Sequence, residues 1–368
     1  MKRVSVFLVA MLMMPLAFWS CQNRQEIKVG VLLPMTGDMA LYGVAINNGI
    51  KLAYEESVIK DRIKIITEDD KGDTKTSTTI FNKLLADKVD VVIGGAMSSG
   101  AAAIAPIAQK EKVTLISPTA TLPSLTNSGE YFFRLWPSDN YDGYIIADYS
   151  ANVMQIKRVA VLYVNLDYGV GIKNVFSEEF EKVGGEVVFS EGFSQGTSDF
   201  RTQLIKIRNS NPDVLFIPGY YQEVANILKQ MKDLNLNIQI LGVNSFYDER
   251  LIQLAGEQAE GIIFTYPSYD VESENDYVQK FANDFFNKYG TKPDAFAAQG
   301  YDCMKVIEYA IINLTDKGSV ISRESIRNEI ANIRDFDGVS GKFSFDKNGD
   351  VVKKMRFITV KNGKFVSL

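Results

Sequence analysis

Residues 91–99 read VVIGGAMSS and residues 113–121 read VTLISPTAT, so each of two apolar runs ends in a loop of small and hydroxyl-bearing residues. Glycine and alanine there let the backbone approach a guest closely. Ser98, Ser99, Thr119 and Thr121, with Ala120 between the last two, present hydroxyls and amides. That combination suits the capture of a small anionic or zwitterionic group. Ser98 is also placed to begin a helix over residues 101–108, whose free amides and dipole favour an anion; capping that helix is its competing role.

Other chemistry is excluded by what is missing. The sequence contains no histidine, which removes His-assisted serine or cysteine nucleophiles, His metal sites and imidazole proton shuttles. Catalysis would have to run on carboxylates, lysine or tyrosine, and no nucleophile with a neighbouring base can be named. Cys21 and Cys303 are the only two cysteines, so neither a thiolate zinc site nor a disulfide framework is available; Cys303 reads as a small core residue on a helix. The net charge of −5, with Lys and Arg scattered, argues against nucleic acid as a partner. Gly169 and Gly171 lack the rest of a dinucleotide-binding pattern. Asp346, Asn348 and Asp350 imitate the start of a calcium loop, but Val351 stands where that loop needs glycine and Phe357 where it needs glutamate, so a surface turn is expected. Glu68, Asp69 and Asp70 read as a solvated cluster at a loop. No metal and no cofactor is expected.

The elements that must position these loops alternate regularly. Residues 27–33, 63–67, 89–93 and 113–116 read as strands, and the segments from Gly43, over 80–85 and over 101–108 as helices. After a connecting region at 131–142 the same grammar resumes, with strands at 159–164, 187–189, 214–217, 238–241 and 262–265 and helices at 169–183, 200–207 and 224–234. Helices at 276–289, 296–314 and 323–333 and short strands at 342–345 and 355–360 close the chain. Strand–helix alternation predicts parallel sheets covered by helices on both faces, with ligands at the carboxyl ends of the strands. At 368 residues, two such units are expected.

Lys2 and Arg3, the apolar run of residues 4–19, and then Ser20 and Cys21 have the charged start, apolar middle and small-residue exit of an export signal. The cysteine directly after it resembles the bacterial lipoprotein processing site, at which lipid is attached to the thiol and Cys21 becomes the first mature residue. An uncleaved anchor or an ordinary signal cut nearby are the alternatives. The folded part is expected outside the cytoplasm in each case.

Several segments in the order of one family carry a further resemblance: IKVGVLLPMTGDMALYG at 27–43, VVIGGAMSSG at 91–100, LISPTATLPSLT at 115–126, NLDYGVG at 165–171, DVLFIPGYYQE at 213–223, AAQGYD at 297–302 and GVSGKFSFDKNGD at 338–350. Together they resemble the type I periplasmic solute-binding proteins of ABC importers, in particular the leucine/isoleucine/valine-binding receptor family. The resemblance implies two α/β lobes, each a mostly parallel sheet with helices on both faces, joined by three hinge crossovers. On that pattern residues 1–20 are the signal peptide and 21–26 a lipid-anchor tether. Lobe 1 takes 27–139 plus 268–345, and lobe 2 takes 140–267 plus 346–368. It further implies a monomer that holds an amino acid or related small solute in the cleft and docks on a membrane permease complex. By the same resemblance Ser98 meets a ligand carboxylate, Thr121 meets carboxylate and ammonium, the Thr119 carbonyl takes the ammonium, and Tyr42, Tyr168, Tyr220 and Phe296 form aromatic walls. The family's second-lobe carboxylate for the ammonium falls on neutral Asn244, so Glu223, Asp248, Glu249 or Asp302 would have to replace it, or the ligand carries no ammonium.

Two other functions fit fewer of these features. A lipoprotein sensor or partner-binding regulator could keep the same fold. An α/β enzyme relying on carboxylates or tyrosine is disfavoured by the missing histidine.

Overall fold

The computed structural model describes residues 25–267, 269–271 and 273–368; the expected leader and Cys21 lie outside them. Strands β1 (Ile27–Leu33), β2 (Ile63–Asp69), β3 (Val91–Gly94), β4 (Thr114–Ser117) and β5 (Phe132–Arg134) form a first sheet. Its order is β2-β1-β3-β4-β5, and every pairing is parallel. Strand β1 lies between two neighbours and buries every residue except the half-exposed Lys28. Burial on both faces is why it reads as an unbroken apolar run instead of an alternating one. Helices α1 (Ala40–Glu56), α2 (Thr74–Ala86) and α3 (Ser98–Glu111) connect the first four strands.

The second unit opens with helix α4 (Asp139–Asp148) and continues through β6 (Arg158–Val164), α5 (Asp167–Lys182), β7 (Glu186–Phe193), α6 (Arg201–Ser210), β8 (Val214–Phe216), α7 (Tyr221–Asp233), β9 (Gln239–Gly242), α8 (Glu249–Ala255) and β10 (Ile263–Pro267). Its strands run parallel in the order β10-β9-β8-β6-β7. Helix α7 shows why the pattern was readable: Val224, Ile227, Leu228 and Met231 recur at helical spacing and are buried together.

After β10 the chain returns to the first unit with helices α9 (Asp276–Tyr289), α10 (Ala295–Asp316) and α11 (Arg323–Ala331). Helices α1 and α10 cross so closely that a Cβ on Gly49 would stand 1.9 Å from the Ala297 carbonyl oxygen, and one on Gly300 would stand 2.1 Å from that of Ile46. Only glycine allows that approach. Arg323 donates to the Val89 carbonyl at 2.7 Å, tying α11 to the same sheet. The chain then builds a small antiparallel sheet from β11 (Phe336–Gly338), β12 (Gly341–Phe345) and β13 (Val351–Val352). Strands β14 (Met355–Lys361) and β15 (Lys364–Ser367) finish antiparallel on β10, completing a seven-stranded second sheet. Three passages, from β5 to α4, from β10 to α9 and from β13 to β14, therefore join two α/β lobes.

Some local expectations need correction. Residues 131–142, read as a connector, contain β5 and the first turn of α4. Helix α4 escaped because Asp139 and Asp142 share its buried face with Ile146 and Ala147, so the face is not apolar. The carboxylates Glu68, Asp69 and Asp70 at the end of β2 are not a solvated cluster. Asp69 Oδ1 accepts from the Met35 and Lys71 amides at 2.8 and 2.9 Å, and buried Asp70 accepts from Ser77 Oγ at 2.8 Å. Other expectations hold: Asp346 Oδ1 accepts from the Asn348 and Asp350 amides at 2.8 and 2.9 Å, which makes the calcium-like segment the expected turn. Cys303 is buried on α10. Among the described residues no helix is long and apolar enough to cross a membrane.

Candidate functional site

The hydroxyl loops at the ends of β3 and β4 are sewn to each other. Ser117 Oγ donates to the Gly95 carbonyl and Thr119 Oγ1 to the Ala96 carbonyl, each at 2.8 Å. Gly95 turns with φ +65°, and a Cβ there would lie 2.9 Å from Ala101 Cα, so the sharp entry into α3 requires glycine. Ser98 opens α3 but does not cap it. Its Oγ accepts from the Thr121 and Leu122 amides at 3.3 and 3.4 Å, across the gap between the two loops.

These loops form one wall of a cavity lined by Tyr42, Ala96, Met97, Ser98, Thr119, Thr121, Tyr168, Tyr220, Asn244, Ser245 and Phe296. The first sheet's unit gives Tyr42 from α1, the two loops, and Phe296 from α10; the second gives Tyr168 from α5, Tyr220 before α7, and Asn244 and Ser245 from a turn after β9. Its free volume is about 40 Å³, room for a few waters. The rings nearly meet across it. Tyr42 and Tyr220 have centroids 6.4 Å apart, Tyr168 stacks on Tyr220 at 5.7 Å, and Tyr42 packs on Phe296 at 4.8 Å. Behind Phe296, Trp136 from the first passage between lobes stacks at 5.1 Å.

The structure thus brings together Tyr42, Ser98, Thr119, Thr121, Tyr168, Tyr220, Asn244 and Phe296. Ser99 and Ala120 are not on the wall; Ala120 is buried in the core beneath the first sheet, beside Leu115 and Leu125. Ala96, Met97 and Ser245 join the wall unannounced, although each adjoins a residue already singled out. Ser245 Oγ donates to the Gly219 carbonyl at 2.5 Å, which fixes the turn carrying Asn244 against the one carrying Tyr220.

Two carboxyl groups stand one hydrogen bond behind the wall. Thr121 Oγ1 donates to Asp139 Oδ2 at 2.8 Å, and Asn244 Nδ2 donates to Asp142 Oδ2 at 3.5 Å. Burial pushes Asp142 up to about 6 against the opposing pull of the Thr265 and Asn244 side chains. Burial, and then the charge of Asp142, hold Asp139 well above the usual carboxyl range. The Tyr168 phenol is raised by burial first and by Asp139 second. An i,i+3 Asp pair after a capping serine was the available signal: Ser138 accepts from the Asn140 amide at 3.2 Å and starts the helix.

None of the substitutes considered for Asn244 reaches the cavity. Glu223 Oε1 accepts from the Gly196 amide at 2.7 Å, and Asp248 is engaged by Arg250 at 2.9 Å. Glu249 is exposed. Asp302 accepts from the Val339 and Ser340 amides, each at 2.9 Å, at the small third sheet.

A profile of the periplasmic binding protein family matches residues 26–364. The chain is 28% identical over 343 residues to the Leu/Ile/Val-binding protein of Escherichia coli strain K12, covering 91% of each chain. The leucine binding protein LivK of Thermotoga maritima is similar in structure with a TM-score of 0.86 at 33% identity, covering 93% of this chain and 97% of that one. The branched-chain amino acid transporter substrate binding protein LivJ of Streptococcus pneumoniae, solved in complex with isoleucine, gives 0.83 at 30% identity over 94% of this chain and 100% of that one.

Proposed function

The chain belongs to the periplasmic binding protein family, and on that premise we propose that it is the extracytoplasmic receptor of an ABC importer. It binds an amino acid or similar small polar solute between its lobes and makes no covalent change. The observation that carries this reading is the cavity itself, because hydroxyls of the first lobe and tyrosines of the second converge on one space.

Each part of the wall has a task. Ser98 already accepts two amide hydrogens, so its own proton is free to donate to a ligand carboxylate. The first turn of α3 adds backbone amides and the positive end of a helix dipole. Tyr42, Tyr168, Tyr220 and Phe296 enclose an apolar side chain. A free space of about 40 Å³ is too small for an amino acid. The solute must therefore enter with the lobes parted, and contact with both lobes then favours the closed state. The lobes on this reading are residues 27–139 with 268–345, and 140–267 with 346–368. Lipid on Cys21 would hold the monomeric receptor beside its permease.

Thermal-shift and calorimetric titration with the amino acids, amides and aromatic acids tests the proposal. A solute at about one hundred times its dissociation constant adds roughly 2.7 kcal/mol to stability. Saturable, reversible binding without product formation is expected. Turnover of any solute, or no response to the whole panel, overturns it, the latter favouring a sensor or partner-binding role.

A further inference from the structure

A second cavity, of about 740 Å³ against about 40 Å³ for the first, lies on the other face of α4. In the first turn of that helix Asp139 and Asp142 turn toward the wall of the first cavity, where they accept from Thr121 and Asn244. Asn140 and Tyr141 follow Asp139 by about 100° and 200° around the helix axis. Both are exposed, and both line the second cavity. Two of the passages between the lobes run along it, the first contributing Ser138 and the third Lys354.

The facing wall belongs to the small third sheet, with Lys342 from β12 and Val352 from β13. That sheet is held to the first lobe. Asp302 on α10 accepts from the Val339 and Ser340 amides, each at 2.9 Å, and Arg134 on β5 pairs with Asp350 at 2.7 Å. Just past β13 the buried Lys353 Nζ donates to Gln299 Oε1 on α10 at 3.0 Å. Helix α4 is held to the second lobe instead, packed on α5 so closely that a Cβ on Gly143 would lie 2.8 Å from Val175 Cγ1. The second cavity is therefore a gap between the lobes, with the first turn of α4 between it and the solute cavity.

Two bodies that turn about an axis through their connecting strands approach on one side of it as they part on the other. On the solute side the rings nearly meet, and on the far side the gap stands open. Parting of the lobes around the solute cavity takes up space in that gap. Tyr141 and Val352, 44% and 67% exposed, are the large apolar side chains that stand in it. Packed protein barely compresses, so side-chain bulk in the gap limits the turn.

Resting on the receptor reading above, we propose that this gap is the clearance into which the receptor opens, and that Asn140 and Val352, on its two walls, set solute affinity without touching the solute. They are positioning residues, since their size decides how far the empty lobes part. A solute held only by the closed state binds more tightly as the open state becomes rarer.

Val352→Trp and Asn140→Trp, one from each wall, fill the clearance. Each should reduce the radius of gyration of the unliganded protein in small-angle scattering. Each should also tighten the calorimetric binding of whichever of L-leucine, L-isoleucine and L-valine the unmodified protein binds, about tenfold if the closed state becomes about tenfold more populated. Lys347→Trp, exposed in the turn between β12 and β13 but off the cavity wall, should do neither. Melting of each unliganded variant checks that it is folded. An unchanged or larger radius together with unchanged or weaker binding in the two cavity variants overturns the inference and leaves the receptor reading intact. If no solute of the wider panel binds, the receptor reading falls, and the unliganded radii decide the clearance by themselves: smaller radii support it and equal radii overturn it.

Discussion

Arg134 and Asp350 fasten two of the three inter-lobe passages to each other. Arg134 Nε lies 2.7 Å from Asp350 Oδ1 and Nη2 lies 2.9 Å from Oδ2, a two-pronged pair whose arginine is fully buried. Arg134 ends β5, just before the chain crosses to α4, and Asp350 precedes β13, from which the chain crosses to β14. Two of the remaining guanidinium hydrogens go to the Leu122 carbonyl at 2.9 Å and Thr126 Oγ1 at 2.8 Å, so the pair also anchors the segment that follows Thr121.

Removing one partner of a buried ion pair leaves the other uncompensated, at a cost of about 3–5 kcal/mol. Arg134→Met should therefore lower the unfolding free energy from urea titration by that order, through the midpoint and without a change of slope. Asp350→Asn, which keeps an acceptor for the guanidinium, should cost less. A loss below about 1 kcal/mol for Arg134→Met would mean that the pair is not a fastening, since that is the range of exposed pairs.

Ser98→Ala removes a cavity hydroxyl with a free proton while leaving α3 intact, because its oxygen does not cap that helix. Affinity for a carboxylate-bearing solute should fall about 10- to 100-fold, the worth of a hydrogen bond to a charged group. The unliganded protein should lose no more than about 1–3 kcal/mol, because the Thr121 and Leu122 amides lose their shared acceptor. A large drop in melting temperature with unchanged affinity would assign Ser98 to loop structure instead.

The sheets and most of the wall were legible because their signals are local. Buried parallel strands such as β1 show as apolar runs, α7 shows its period, and the hydroxyl loops follow their strands directly. Tyr42 and Tyr220 lie 178 positions apart yet each adjoins a recognisable turn, at Gly43 and Gly219. What could not be read was Asp139 and Asp142. Their helix buries carboxyl groups where periodicity looks for hydrocarbon, and their partners Thr121 and Asn244 are met only after folding. Ser99 and Ala120 stand off the cavity wall, since a loop that borders a cavity does not turn every residue toward it.

Gly171 of α5 faces Leu122 and Pro123 of the other lobe so closely that a Cβ would lie 2.9 Å from Leu122 Cδ1 and 3.0 Å from Pro123 Cδ. A larger side chain there should wedge the cleft while sparing both cores. Gly171→Leu is expected to keep its melting temperature, to enlarge the radius of gyration seen by small-angle scattering in the presence of solute, and to bind more weakly. If the closed state becomes about tenfold rarer, affinity falls about tenfold. Unaltered affinity would show that closure does not bring these two surfaces together.

Asp142 ties stability to pH. Its carboxyl is raised by burial from an ordinary value of 3.8 to about 6. Between those values the native protein holds a proton that the unfolded chain has released. Unfolding then liberates a proton, and raising the pH favours it. The group therefore costs nothing below about pH 4, and its penalty grows as pH rises to about 6 and is constant beyond, on the order of 3 kcal/mol for a gap of this size. Asp142→Asn, which has nothing to ionise, should match the unmodified protein in stability near pH 4 and exceed it by up to that amount at pH 7. Denaturant titrations at the two values measure the difference. If Asp142 serves only the fold, the variant will be no more stable at pH 7 than the unmodified protein. A variant that is more stable at pH 7 shows instead that the chain keeps this buried carboxyl at the expense of stability.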